Sequence, residues 1–214
     1  GDSRSHLFTN TLVDLSLDSF KKSMLKINYQ KVSNDNYLKL FDLESPLLED
    51  DNSVLESKIE FDLVHENYDL TTSFKMYETL KGNNNDRYQY VLPSYDLSKN
   101  FDLETFSGSF NFNSSGNNTL DNTNVVTSSI LNNLNYSSLN MLYDNGIKTN
   151  FKISLKNINT VGKNNITYKN SPQSELMSAY TYNASLPLIK SNLKAINTLE
   201  PKLSLRFSPH EMKN

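Results

Sequence analysis

The sequence predicts an all-β fold, an antiparallel up-and-down meander of about ten long strands. Three observations predict it. Apolar and polar residues alternate with period two over long stretches, which sends successive side chains to opposite faces of a strand. The breaks between these stretches are clusters of Asn and Asp, while Gly and Pro number only six each among 214 residues. The hydrophobic fraction of 36% is thin for a thick globular core, yet a net charge of -3 is too small for charge-driven disorder.

The clearest element is LESKIEFDLVH, where Leu55, Ser57, Ile59, Phe61, Leu63 and His65 alternate with Glu56, Lys58, Glu60, Asp62 and Val64. GIKTNFKISLKN repeats the pattern, with Ile147, Thr149, Phe151, Ile153 and Leu155 opposite Lys148, Asn150, Lys152, Ser154 and Lys156. SMLKINYQ sets Leu25, Ile27 and Tyr29 against Lys26, Asn28 and Gln30, and PKLSLRF sets Leu203, Leu205 and Phe207 against Lys202, Ser204 and Arg206. Helical spacing fits none of these. The breaks place strands at 5–17, 23–33, 54–65, 70–80, 87–99, 104–114, 123–137, 147–159, 173–186 and 197–208.

The connections are expected to alternate strictly between two kinds. Short turns fall near DSFK, HENY and KNFD, and longer Asn-rich loops at NDNYLKLFDLESPLLEDD, KGNNND, SSGNNTLDN and TVGKNNITYKNSP. Asp144, Asn145 and Gly146 form a hairpin turn, because Asn-Gly accepts positive φ at little cost. Outer-membrane barrels have this asymmetry of ends, which places the long loops and both termini at the outer rim.

Magnitudes choose the faces. A lysine or arginine pointing into lipid at mid-membrane costs about 2–4 kcal/mol, so Glu56, Lys58, Glu60 and Asp62 belong on a lumen wall and Ile59, Phe61 and Leu63 against lipid. The same reasoning puts Lys148, Lys152, Lys156, Lys202 and Arg206 on the polar wall. Tyr68, Tyr88, Tyr90, Tyr136 and Tyr143 fall near strand ends, where an aromatic girdle sits.

Little points to chemistry. Cys is absent, which excludes disulfides and thiol catalysis, and Lys+Arg 21 against Asp+Glu 24 leaves no basic field for nucleic acid. His6, His65 and His210 are scattered without metal-ligand spacing, and no nucleophile elbow, phosphate-binding glycine loop or HExxH is present. The acids of residues 56–62 alternate with a lysine as a salt-bridged wall does, rather than as an acid/base pair. The sequons at Asn117 and Asn165 carry no weight, since about one residue in seven is Asn. The segment NDNYLKLFDL, residues 34–43, is too apolar for an idle loop; it reads as a packed rim segment, a strand extension folded into the barrel mouth. No enzyme activity, cofactor or metal is expected.

Several strings carry a resemblance: GDSRSHLF, NDNYLKLF, NNNDRYQYVLPSYDLSKNF, GSFNFNSSGNN, NINTVGKNN, SPQSELMSAYTYNASLPLIK and LEPKLSLRFSP. Together they resemble the β-barrel region of the lipopolysaccharide-assembly protein LptD (organic solvent tolerance protein) family, in the Asn- and Lys-rich style of marine alphaproteobacterial members. The resemblance implies transport of lipopolysaccharide (LPS) into the outer leaflet of the Gram-negative outer membrane. It implies an LptE-like plug lipoprotein and periplasmic Lpt bridge proteins as partners, and outer-membrane lipid around the wall. Residues 1–214 then form an internal portion of the barrel domain, lacking the periplasmic jelly-roll and the gate strands. Such a slice, standing alone, is expected to aggregate or form an open curved sheet with edges at 5–17 and 197–208. Two other readings remain open at this point: a porin or receptor barrel, and a secreted β-rich adhesin module.

Overall fold

A computed structural model describes residues 5–40, 53–81, 87–102, 107–192 and 195–209. The chain is almost entirely β. In order come β1 (His6–Asp14), β2 (Lys22–Val32), a single helical turn α1 (Tyr37–Leu40), β3 (Val54–Val64), β4 (Tyr68–Thr79), β5 (Tyr88–Asp102), β6 (Gly108–Asp121) and β7 (Val125–Ser138). A two-residue β8 (Met141–Leu142), β9 (Lys148–Lys163), β10 (Gln173–Ser185), β11 (Leu188–Asn192), β12 (Ala195–Leu199) and β13 (Lys202–Phe207) follow. The main sheet runs β1-β2-β3-β4-β5-β6-β7-β9-β10-β13, with β8 paired to β9. Ten strands thus follow the meander that the alternation predicts, and β1 and β13 are its end strands. Among the described residues no helix is long and apolar enough to cross a membrane.

Register confirms the two faces. Ile27 stands opposite Ile59, which stands opposite Phe74, while Lys26 stands opposite Glu60 and Glu60 opposite Ser73. Burial is inverted relative to a water-soluble sandwich. The described buried apolar residues are only Val32, Leu38, Leu55 and Leu80, whereas nine polar or charged residues are buried. Ile59 is 44% exposed, Phe74 43% and Leu205 58%.

Four expectations need correction. SSGNNTLDN is not a loop: Ser114 to Asp121 continue β6, and only Asn122 to Asn124 turn, because Asn122 (φ 49°) and Thr123 (φ 56°) adopt the positive φ of a tight hairpin. Strict alternation of short and long connections therefore fails, and residues 186–201, at the end assigned short turns, are long. The rim segment from Asn34 is no strand extension. It closes a helical turn in which Tyr37 N–H donates to the Asn34 carbonyl (3.0 Å), and Leu38 fills the small apolar cluster with Val32, Leu55 and Leu80; residues 41–43 lie outside the described part. The strand placed at 197–208 is cut at Glu200 and Pro201, and Ala195–Leu199 pairs with Leu188–Asn192 as a separate two-stranded sheet.

That cut is local. Ser185 faces Lys202, Leu186 N–H donates to the Pro201 carbonyl (3.1 Å), and Leu188 faces Leu199, so one register runs through both ladders. Pro187 and Pro201 have no N–H to give, which interrupts the ladder without changing its register. The Asp144-Asn145-Gly146 turn is present: Gly146 N–H donates to the Tyr143 carbonyl (2.8 Å), Gly146 carries the positive φ (81°), and Asn145 accepts from Ile147 N–H through its side chain (3.1 Å).

Two compact units partition the chain. One comprises residues 1–98, 114–131 and 158–174, the other 99–113, 132–157 and 175–214. In the first, the β2–β3 ladder is completed by side chains: Glu56 N–H donates to Gln30 Oε1 (3.0 Å), Gln30 N–H donates to Ser57 Oγ (3.1 Å), and Asn28 Nδ2 donates to the Glu56 carbonyl (3.2 Å). In the second, the Tyr136 ring packs 4.5 Å from Phe110 and 5.4 Å from Phe151, centroid to centroid.

Candidate functional site

Strand geometry places Glu56, Lys58, Glu60 and Asp62 on one face of β3, because each is two residues from the next. Their partners lie across the ladder rather than along it. Lys22 Nζ meets Asp62 at 2.6 Å, and Lys26 Nζ bridges Glu60 at 2.7 Å and Asp62 at 3.8 Å. Lys58 reaches Glu60 at 3.6 Å. The acids of β3 are thus ion-paired chiefly across the ladder, with Lys22 and Lys26 of β2 as the cations. Glu56, facing Tyr77 in the register, joins no described salt bridge.

A second cluster caps the ends of β2, β4 and β5. Glu78 is 1% exposed, with Lys31 Nζ donating to both carboxylate oxygens (3.0 and 2.9 Å) and Arg87 Nη2 to Oε1 (2.6 Å). Tyr88 donates its hydroxyl to the same oxygen (3.2 Å), and Arg87 also takes Asp35 in a two-pronged contact (2.8 and 3.3 Å). Burial lowers the pKa of Arg87, but the Asp35 hydrogen bond and the Glu78 and Asp35 charges outweigh it and raise it above its usual value. The cluster ties the segment containing α1 to the strand ends. Sequence reading missed it, since Asp35, Glu78 and Arg87 are distant in sequence and only their charge signs hinted at pairing.

The second unit carries the other candidate residues. Lys148, Lys152 and Lys156 share one face of β9, and all three are exposed. Asn183 Nδ2 donates to Asn150 Oδ1 (2.8 Å), aligning that face with Thr181, Asn183 and Ser185 of β10, which stand opposite Arg206, Ser204 and Lys202 of β13. Lys202 is paired with Glu200 at 3.1 Å, and this hydrogen bond holds the Glu200 carboxyl below its usual range.

The remaining candidates have structural partners. His6 Nδ1 lies 3.2 Å from the Tyr37 hydroxyl, and His65 stacks on Tyr68 (4.7 Å) beside Phe20. His210 lies outside the described residues. Asn117 Oδ1 accepts from Ser129, and Asn165 Nδ2 donates to Thr127. Tyr68, Tyr88, Tyr90, Tyr136 and Tyr143 do sit at or near strand ends. Among the described residues no group of three or more His, Cys, Asp or Glu is placed to hold a metal.

What this arrangement offers is two unlike surfaces on one antiparallel sheet, one apolar and one ionic and amide-rich. No individual curated protein matches the chain. The family model described as "LPS transport system D" matches residues 14–214, the span that holds every strand from β2 onward. The chain belongs to the LptD family of outer-membrane β-barrel proteins, which serve lipopolysaccharide transport and assembly.

Proposed function

We propose that this chain forms part of the wall of the outer-membrane LPS translocon, with its apolar face against lipid and its polar face toward a hydrated interior. The exposure of Ile59, Phe74 and Leu92 on one face of the first unit carries the reading, since the opposite face there holds the ion pairs; in the second unit Tyr180 and Leu205 are likewise exposed. Strand length agrees: eleven residues of β3, at about 3.3 Å each and tilted about 40°, span roughly the 25 Å apolar band of a barrel. The chain makes and breaks no bond. An LptE-like plug lipoprotein borders the polar face, and periplasmic Lpt bridge proteins deliver LPS to the barrel.

The native chain contains no Cys, so single cysteines can report each position. Spin labels at residues 58 to 63 of the protein in bilayers should alternate, with 59, 61 and 63 accessible to oxygen in lipid and 58, 60 and 62 to a water-soluble nickel chelate. Uniform accessibility to the nickel chelate would overturn the wall reading.

A further inference from the structure

One face of the β3–β4 ladder is uncharged along its middle and changes character at both ends. Its cross-strand pairs are Ser57 with Met76, Ile59 with Phe74, Phe61 with Thr72 and Leu63 with Leu70, and none of these residues is charged. The charges of the same stretch, Lys58, Glu60, Asp62 and Lys75, hold the alternate positions and so the other face.

Beyond Met76, the next pair on the uncharged face is Leu55 with Glu78. There the acid gathers Lys31, Arg87 and the Tyr88 hydroxyl, and Lys31 Nζ and Arg87 Cζ stand 5.7 and 5.8 Å from the centroid of the Tyr88 ring. Glu78 is sealed, but the side chains of Lys31 and Asp35 are 44% and 40% exposed, so the cluster presents ions to its surroundings. At the other end the face runs past Leu63 and Leu70 to His65 and Tyr68, where His65 N–H continues the ladder by donating to the Tyr68 carbonyl (2.8 Å). Their rings stack at 4.7 Å, and Phe20 meets them edge-on at 5.7 and 6.2 Å.

Both endings have the chemistry of a membrane interface. Partly exposed ions are costly in hydrocarbon and nearly free at headgroup level, and rings with a polar tip favour that same level. The separation fits as well. From Leu55 to His65 is ten residues, about 33 Å along the strand and about 25 Å at a tilt of about 40°, which is the height of a barrel's apolar band.

We propose that the two clusters fix the depth of this stretch of sheet in a lipid bilayer. The Lys31, Glu78, Arg87 and Asp35 cluster meets the headgroups of one leaflet, and Phe20, His65 and Tyr68 meet those of the other. The pairs from Ser57–Met76 to Leu63–Leu70 lie in hydrocarbon between them. The assignment rests on the wall reading and adds which residues mark the two boundaries, one ionic and one aromatic.

The native chain contains no Trp, so single tryptophans report depth. The test is fluorescence quenching of the intact protein in bilayers whose lipids carry bromine either near the acyl-chain ends or near the headgroup. Phe61→Trp and Phe74→Trp should be quenched at least twofold more strongly by the deep bromine. Tyr68→Trp and Tyr88→Trp should show the reverse preference. Asn67→Trp and Leu40→Trp, beside the clusters but outside them, should also prefer the shallow bromine, which keeps the test open if a cluster variant does not fold. Preference for deep bromine at either boundary, or for shallow bromine at Phe61→Trp and Phe74→Trp, overturns the assignment. If the spin-label alternation holds while the depths disagree, the boundaries are wrong and the wall stands; if the alternation also fails, both fall.

Discussion

The hydroxyls of Ser73 and Ser94 lie 2.7 Å apart on the polar face of the sheet, although Leu92, two residues before Ser94, lines the apolar groove with Ile59 and Phe74. Two residues of the same parity on opposite faces require one extra residue in β5, and Pro93 is that residue, a bulge where a missing N–H costs no ladder bond. Apolar residues accordingly switch from Tyr90 and Leu92 before it to Tyr95 and Leu97 after it. Deleting Pro93 should turn Asp96 toward the apolar side and Tyr95 toward the polar side. We expect the deletion to lose most of the folded, heat-modifiable form on gels and Pro93→Ala to keep it. A deletion variant that folds as well as the wild type refutes the bulge.

Glu78 joins Lys31, Arg87 and Tyr88 while itself almost wholly buried. Removing the acid leaves two cations without their shared partner, a change that costs about 3 kcal/mol when the partner is buried. Asp35 is 40% exposed, so Asp35→Ala should cost less than about 1 kcal/mol. Urea unfolding in micelles should therefore rank Glu78→Ala well below Asp35→Ala. The reverse order would show that the cluster is held by its outer pair.

The alternation of small sets such as Ile59, Phe61 and Leu63 made the strands and their two faces legible, because period two needs no tertiary information. Three kinds of feature were not legible. The bulge at Pro93 resets parity inside one strand, and only the contact with Ser73 on β4 reveals it. The Asn-rich run through Ser114 to Asp121 looks like a loop by composition, yet Gly116 lies under the Tyr95 ring and Asn117 is held by Ser129, so neighbouring strands override propensity. Of the ion-paired residues, Lys58, Glu60 and Asp62 were legible by spacing, but Lys22 was overlooked because its carboxylate partner lies forty residues away.

Gly108 occupies a position where a Cβ would collide with the Ser137 carbonyl oxygen and come within 2.8 Å of the Tyr136 ring, and the ring in turn covers the backbone there. An aromatic laid over a strand glycine restores the packing the glycine lacks. Gly108→Ala should destabilise the fold by about 1–3 kcal/mol through overpacking, and Tyr136→Ala placed in the same background should recover part of that loss. A double-mutant cycle in urea measures the coupling. Strict additivity would separate the two residues energetically.

Glu200 and Lys202 provide the prediction with a pH sign. The Lys202 hydrogen bond, aided by Ser185 and the Lys148 charge, lowers the Glu200 pKa below its ordinary 4.5. A depressed carboxyl pKa means that the pair's contribution is present above about pH 4.5 and is lost as pH falls through the lower, folded value. Carbon-13 NMR of the Glu200 carboxyl should give a midpoint under 4.5 in the wild type, and Lys202→Met should move it upward. The same protonation frees Lys202, so Glu200→Gln at neutral pH should release Lys202 as acid does in the wild type. A midpoint unmoved by Lys202→Met would show that Glu200 is held by Ser185 and Lys148 instead.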